Sequence, residues 1–331
     1  MRFLVTGTAG FIGFHLAQRL LADGHSVLGV DGVTPYYDPN LKRRRHQELA
    51  RSSAFVGREA MIEDARLLAD LVAEANADMV FHLAAQAGVR YSAENPRAYI
   101  ESNIVGTFNL LEALRQRPPG HLLIASTSSV YGAGRQQPFE EAQDTDHPVS
   151  LYAATKKSIE TIAYSYANLN GLPTTVMRLF TVYGPWGRPD MALFKFTRNI
   201  IVGEPIEVYA AGKQTRDFTY VGDVVEAMVR LAAKTPEAKT PEAKTPEQGP
   251  PYRVVNVGGG RPVGLDNFIA VIEEVIGRKA LRRDLPMQPG DVPATWASTT
   301  LLEQVTGFRP AVPLSEGVRA FVAWYREYYG A

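Results

Sequence analysis

The chain has 331 residues, enough for one large domain or two that share a cleft, and its 35 Lys and Arg are balanced by 35 Asp and Glu. That neutral balance argues against nucleic acid or an anionic membrane as the partner. There is no cysteine for disulfide or thiol chemistry, no apolar stretch long enough to span a bilayer, and an N-terminal apolar run that breaks at Gly7, too early for a signal peptide. A cytoplasmic protein is the expectation.

Arg2–Thr6 reads as a short buried strand, followed at once by Gly7-Thr8-Ala9-Gly10-Phe11-Ile12-Gly13 and an apolar helical pattern through Phe14, Leu16, Ala17, Leu20 and Leu21. Glycines at such a junction let the backbone approach a pyrophosphate, whose charge meets free N–H groups at the helix start. Ser26–Val30 is the second strand. Asp31 ends it where a carboxylate can accept from both ribose hydroxyls and repel a 2′-phosphate, which favours NAD over NADP.

A polar loop from Gly32 to Asn40 leads to a basic helix over Leu41–Ala50. Its Lys42-Arg43-Arg44-Arg45 run reads as a solvated helix face, with a phosphate contact as the alternative. Ala54–Val56 is a third strand, Arg66–Ala75 a helix and Asp78–Leu83 a fourth strand. The loop Ala84–Arg90 is rich in small residues. A long helix over Pro96–Gln116 precedes the strand His121–Ser126. The next helix reaches about Leu169, and Thr174–Leu179 is a sixth strand. Strands alternating with helices predict an α/β fold, a doubly wound parallel Rossmann sheet with ligands beyond the carboxyl ends of its strands.

From Tyr183 elements shorten and Pro, Gly and aromatics become frequent, which predicts a smaller C-terminal α/β substrate-binding domain. The expected division is 1–182 for the NAD-binding part, with 216–233 and 252–258 returning to it, and 183–331 for the substrate part. A KTPEA repeat within 234–250 carries Pro every five residues and reads as a mobile surface loop.

Two hydroxyl-bearing motifs remain. Ser126-Thr127-Ser128-Ser129 crowds hydroxyls at the end of the fifth strand, where they can hold a sugar or relay a proton, or simply close a Ser/Thr turn. Tyr152 and Lys156 are four apart on one helix face, where an ammonium can favour the phenolate of a tyrosine base. By itself that spacing is as well explained by an amphipathic helix face.

Together these motifs resemble the extended short-chain dehydrogenase/reductase family in its nucleotide-sugar epimerase branch, and the resemblance covers nearly the whole chain. The blocks His82–Ser92, His147–Lys157 and Arg178–Ala192 are similar to the UDP-glucuronate 4-epimerases nearly word for word. The resemblance implies an isomerase with NAD as a bound catalyst and a UDP-sugar as substrate. It would be a homodimer formed through the helices at Pro96–Gln116 and Tyr152–Leu169. No metal site is implied.

It also implies roles. Gly7, Gly10, Phe11, Ile12, Gly13 and Asp31 would hold the adenosine half of NAD, and Leu83, Ala84, Ala85, Tyr152 and Lys156 the nicotinamide half. Thr127, Ser128 and Ser129 would face the sugar, Arg216 the diphosphate and Asp291 the uridine ribose. Tyr152 would take the C4 hydroxyl proton, directly or through Thr127, and return it after the 4-keto sugar turns over. A 4-keto uronic acid loses CO₂ readily, so the carboxylate must be held; Thr181 and Arg188 are the candidates, with a structural rim as the alternative for Arg188. Two departures stand out. Ala60-Met61-Ile62 replaces the usual Gly-Asp-Leu or Gly-Asp-Ile, which implies adenine binding that is weaker or remade by Glu63 or Asp64. Asp31-Gly32 replaces Asp-Asn.

Neighbouring activities remain as alternatives. UDP-glucuronate decarboxylases typically carry Glu where Ser129 stands, and 4,6-dehydratases carry Asp-Glu where Ser128-Ser129 stands. A UDP-glucose/galactose 4-epimerase typically has Asn at Thr181. A dinucleotide-sensing protein would use the same fold without turnover, and would have no need of Tyr152 as a base.

Overall fold

The structure is a computed structural model and describes residues 1–133, 136–238, 249–287 and 292–331. The chain opens with β1 (Arg2–Thr6), α1 (Phe11–Ala22), β2 (Ser26–Asp31), α2 (Pro39–Leu49), β3 (Phe55–Glu59), α3 (Ala65–Ala75) and β4 (Met79–His82). Short helices α4 (Tyr91–Glu94) and α5 (Pro96–Tyr99) run into a π-helical stretch, Ile100–Gly106, and α6 (Thr107–Gln116). β5 (His121–Thr127), the 3₁₀ turn Ser128–Tyr131, α7 (Leu151–Asn170) and β6 (Thr174–Leu179) follow. Next come β7 (Thr181–Tyr183), α8 (Ala192–Val202), β8 (Ile206–Tyr209), β9 (Thr215–Tyr220) and α9 (Val221–Ala232). The C-terminal part holds β10 (Tyr252–Val257), β11 (Pro262–Gly264), α10 (Leu265–Ile276), β12 (Arg282–Leu285), β13 (Ala294–Thr295), α11 (Thr300–Thr306) and α12 (Leu314–Tyr329).

Seven strands form one parallel sheet in the order β10-β6-β5-β4-β1-β2-β3, the doubly wound sheet expected. Both faces are covered, so its central strands carry apolar runs such as Phe3–Val5 and Leu122–Ala125 rather than an alternating pattern. Phe3 and Val5 of β1 pack toward α1 and α9, while Leu4 between them packs toward α3, α6 and α7. Strand order reverses between β1 and β4, and the crevice at that reversal is where a ligand fits.

A second core joins α8, α10 and α12 to β8, with Phe218 stacked on Phe268 at 4.0 Å. The region expected to return to the main sheet divides. α9 packs on α1, and β10 forms the sheet's edge, but β9 pairs with β7, β11 and β13 in a separate small sheet. The helix expected over Pro96–Gln116 is helical throughout but widens at the π-helical stretch, which turns Asn103 inward. Residues 239–248 of the repeat lie outside the described residues. Among the described residues no helix is long and apolar enough to cross a membrane.

Candidate active site

Each part of the candidate site hangs on a strand end. β1 turns at Gly7, whose φ of +85° suits glycine. A Cβ on Gly7 would lie 2.8 Å from the Ala84 nitrogen, and one on Gly13 only 2.1 Å from the Gly7 carbonyl oxygen. The glycines therefore let β1, the start of α1 and the end of β4 close on one another around a cradle that a side chain would fill. Gly10 precedes α1 without a side-chain cap, so the first-turn N–H groups remain for an anion. A dinucleotide's pyrophosphate fits this backbone.

Asp31 at the end of β2 accepts from Ala9 N at 3.0 Å on one oxygen and from Val33 N at 2.8 Å on the other. Each oxygen keeps a second acceptor position for a ribose hydroxyl. At the end of β4, Thr6 Oγ1 accepts from the amides of Leu83 (3.2 Å) and Ala84 (3.1 Å). Those two donors fill its lone pairs, so the Thr6 hydroxyl donates to His82 Nδ1 at 2.8 Å, and His82 Nε2–H donates to Thr107 Oγ1 at 2.9 Å. Burial, helped by the Lys156 charge, lowers His82 to about 3 and keeps it neutral. The loop after Ala84 is held by Asn103, which accepts from Gln86 N (2.8 Å) and donates to Gln86 O and Thr155 Oγ1 (3.0 Å each).

α7 starts at Ser150, whose hydroxyl accepts from Ala153 N at 3.1 Å, and this cap fixes Tyr152 in the first turn. Burial raises the Tyr152 phenol above its usual range, while the Thr127 hydroxyl and the Arg188 charge pull it back. Lys156 donates to Ala125 O at 2.8 Å, and burial lowers it to about 8 against the opposing charge of Glu160. Behind them Glu160 pairs with Arg178, both side chains 4% exposed, and accepts from the Ser126 hydroxyl at 2.5 Å.

One cleft of about 260 Å³ gathers Gly7, Gly10, Phe11, Ile12, Gly13, Asp31, Leu83, Ala84, Ala85, Thr127, Tyr152, Lys156 and Arg188 along its wall. Thr181 lines a smaller adjoining hollow that shares Arg188. Ser128 and Ser129 lie outside both walls. The local turn is real, since Thr127 Oγ1 accepts from Ser129 N at 3.2 Å, yet Thr127 also faces the cleft. Arg216 on β9 is away from the cleft wall and donates to Thr215 O and Pro293 O, at 2.9 and 3.3 Å. Asp291 lies outside the described residues.

The basic run is only half a solvated face: Arg43 and Arg44 are exposed, but the other two residues are not. Lys42 and Arg45 are buried. Lys42 reaches the cleft wall and donates to Thr34 O at 2.7 Å. Arg45 donates to Ala9 O (2.6 Å), Tyr37 Oη (2.7 Å) and Trp186 O (2.5 Å), tying the glycine loop to the segment after β7. The spacing held the signal: Leu41, Arg45 and Leu49 are four apart, so the face that buries both leucines buries the arginine between them. Arg188 is also engaged, with both carboxylate oxygens of Asp190 at 3.0 and 2.6 Å, and Tyr36 donates to the same carboxylate. Glu63, one of the two acids offered for remaking adenine binding, lines the wall, as does Ser102, which the motifs did not single out.

A family model described as the NAD dependent epimerase/dehydratase family matches residues 3–258. A protein of Rhizobium meliloti (strain 1021), named a probable UDP-glucuronate 4-epimerase, is 54% identical over 335 residues, covering 99% of this chain and 98% of the relative. UDP-glucuronate 4-epimerase 1 of Arabidopsis thaliana is 44% identical, covering 99% of this chain and 77% of its own. The crystal structure of UDP-glucuronic acid 4-epimerase from Bacillus cereus, in complex with UDP-glucuronic acid and NAD, superposes with a TM-score of 0.89 at 32% identity, covering 99% of this chain and all of that one.

Proposed function

The chain belongs to the NAD dependent epimerase/dehydratase family, and from that premise we propose that it is a UDP-glucuronate 4-epimerase, an isomerase that interconverts UDP-glucuronate and UDP-galacturonate. One observation carries the reading: Tyr152, Lys156 and Thr127 line the same cleft as the glycine cradle and Asp31. The cofactor is NAD, which when bound supplies the hydride acceptor and donor for C4 of the sugar.

The chain's own residues do the rest. The N–H groups at the start of α1 bind the pyrophosphate, Asp31 accepts from the ribose, and the backbone at Leu83, Ala84 and Ala85 flanks the nicotinamide end. Tyr152 takes the C4 hydroxyl proton, directly or through Thr127, and returns it to the C4 oxygen once the 4-keto sugar has turned its opposite face to the nicotinamide end. Lys156 keeps a positive charge near the phenolate. Of the hydroxyl cluster Thr127 faces the sugar, while Ser128 and Ser129 sit in the turn after it, off the cleft wall. They bring no carboxylate to the reacting carbons, which disfavours elimination and decarboxylation. Thr181 and Arg188 hold the C5 carboxylate out of the geometry that breaks its bond. Arg216, turning from Thr215 O and Pro293 O, grips the diphosphate, and Asp291 the uridine ribose.

In the same reading, residues 1–182 form the NAD domain with α9 and β10 from the returning segments 216–233 and 252–258, β9 joining the small sheet instead, and the rest of 183–331 forms the UDP-sugar domain, in a cytoplasmic homodimer. Ile100, Val105, Phe108 and Tyr164 expose apolar side chains on the two helices assigned to that dimer, which supports it.

The test is NMR of the purified protein with UDP-glucuronate, with and without added NAD⁺. Conversion to UDP-galacturonate with all carbons retained is expected. UDP-pentose with CO₂ would make it a decarboxylase, and turnover of UDP-glucose alone a neutral-sugar epimerase. NAD binding without turnover of any of these would make it a dinucleotide sensor.

A further inference from the structure

The end of the cleft farthest from Tyr152 is built from the residues after β3. Met61 lies over Gly32, with its sulfur 2.3 Å from where a Cβ on Gly32 would stand. Asp64 accepts from Leu67 N at 3.0 Å and caps α3, so its carboxylate is committed to the helix start. Glu63 has no such duty. It lines the cleft, and its Oε2 is buried without a hydrogen-bond partner among the described residues. Its backbone is fixed from behind, where Asn109 Nδ2 donates to the carbonyls of Ile62 and Glu63 at 3.2 and 2.9 Å.

A buried carboxylate oxygen without a donor is costly, and such groups call for a specific explanation. The terminal torsion of glutamate is soft, so the unpaired oxygen can turn into the cleft. Position indicates the donor. From Thr127 and Tyr152 the cleft crosses β4 and β1 to Asp31 and then to residues 60–63 beyond β3. A dinucleotide with one base beside Tyr152 and a ribose on Asp31 brings its other base to Met61 and Glu63. Adenine presents an exocyclic amine there, and a carboxylate can only accept.

We propose that Glu63 accepts a hydrogen bond from the exocyclic amine of adenine and makes this end of the cleft selective for adenine over a 6-oxo purine. Met61 lies at the same end as an apolar thioether against the ring. The inference rests on the NAD reading and names the group that performs its base recognition. A site built to accept from an N–H rejects an analogue that offers an oxygen in its place, because two acceptors then face each other.

The test is calorimetric titration of cofactor-stripped protein with NAD⁺ and with nicotinamide hypoxanthine dinucleotide, which has the 6-oxo group. The wild type is expected to prefer NAD⁺ by about tenfold or more. Glu63→Gln, whose amide both donates and accepts, is expected to bring the two ligands within about threefold of each other. A wild-type ratio near one overturns the proposal without recourse to any variant. So does a Glu63→Gln variant that weakens both ligands equally, which a purely structural role would produce. Failure of the wild type to bind either dinucleotide would instead sink the NAD reading itself, and the proposal with it.

Discussion

Lys156 donates to the carbonyl oxygen of Ala125 at 2.8 Å, so the ammonium beside Tyr152 is tied to the strand that ends in Thr127. The charge partner is thus tied both to the helix that carries the base and to the strand that carries the hydroxyl relay. Lys156→Met removes the charge that the proposed mechanism sets near the phenolate and is expected to move the rising limb of activity to higher pH. The expected loss is at least about 10²-fold in kcat near neutrality, shrinking as pH is raised. A kcat profile from pH about 6.5 to 9.5 checks this. An equal loss at every pH would mean that Lys156 acts by holding Ala125 rather than through its charge.

The Glu160–Arg178 pair behind Lys156 is closed to solvent and doubly bonded, at 3.0 and 2.8 Å, with Tyr131 stacked 4.8 Å from the guanidinium. Glu160→Gln leaves a buried arginine without its counter-charge, and the expected destabilisation is about 3–5 kcal/mol. Ser126→Ala, which removes one neutral donor to the same carboxylate, should cost about 1 kcal/mol. Because the two share Glu160, the double variant should fall short of the sum. Urea unfolding of the three variants measures this, and strict additivity would show that the network is not coupled.

Three histidines, His82 and His121 buried and His15 half-buried, set an acid limit. Burial lowers His15 to about 4, His82 to about 3 and His121 to about 4, from 6.5. Above the unfolded value all three are neutral in both states and cost nothing. As pH falls below it, the unfolded chain binds protons that the fold refuses, so stability drops until the folded values are reached. The combined slope approaches about 4 kcal/mol per pH unit between roughly pH 6 and 4. Urea midpoints across that range should fall steeply, and His82→Gln should flatten the fall. A flat profile would mean that the rings take up protons in the folded state.

The main sheet was legible because parallel strands covered on both faces carry continuous apolar runs, as in Leu122–Ala125, where every residue is buried. The glycine cradle was legible because its spacing follows from backbone contact, here Gly13 against Gly7. Other features depend on partners far away in sequence. Nothing in Thr215–Tyr220 says that it pairs with β7 rather than with the main sheet. β3 runs on through Arg58 and Glu59 because an edge strand tolerates exposed charge. The π-helical stretch at Ile100–Gly106 has no periodic signature, yet it carries Asn103 to the cleft loop. Arg45 was misread because a run of four basic residues looks like a solvated surface, although the leucines four positions either side face the core.

The last prediction concerns Arg188, which already holds one carboxylate. Asp190 takes its Nε and one terminal nitrogen. A guanidinium has five N–H donors in a fixed fork, so the other terminal nitrogen can still reach a second carboxylate. In that arrangement Asp190 orients the fork, and Tyr36, donating to Asp190 at 3.1 Å, holds the pair at the cleft wall. Arg188→Met is expected to lower kcat/KM for UDP-glucuronate about 10- to 100-fold, an effect of the size seen when a charge-assisted bond is lost. Turnover of UDP-glucose, which has no carboxylate, should change far less. With the carboxylate released, CO₂ and UDP-pentose should become detectable beside the epimer. A brace would behave differently: the melting temperature would fall, both substrates would suffer alike, and no CO₂ would form. Parallel assays of the two sugars with CO₂ capture separate the grip from the brace.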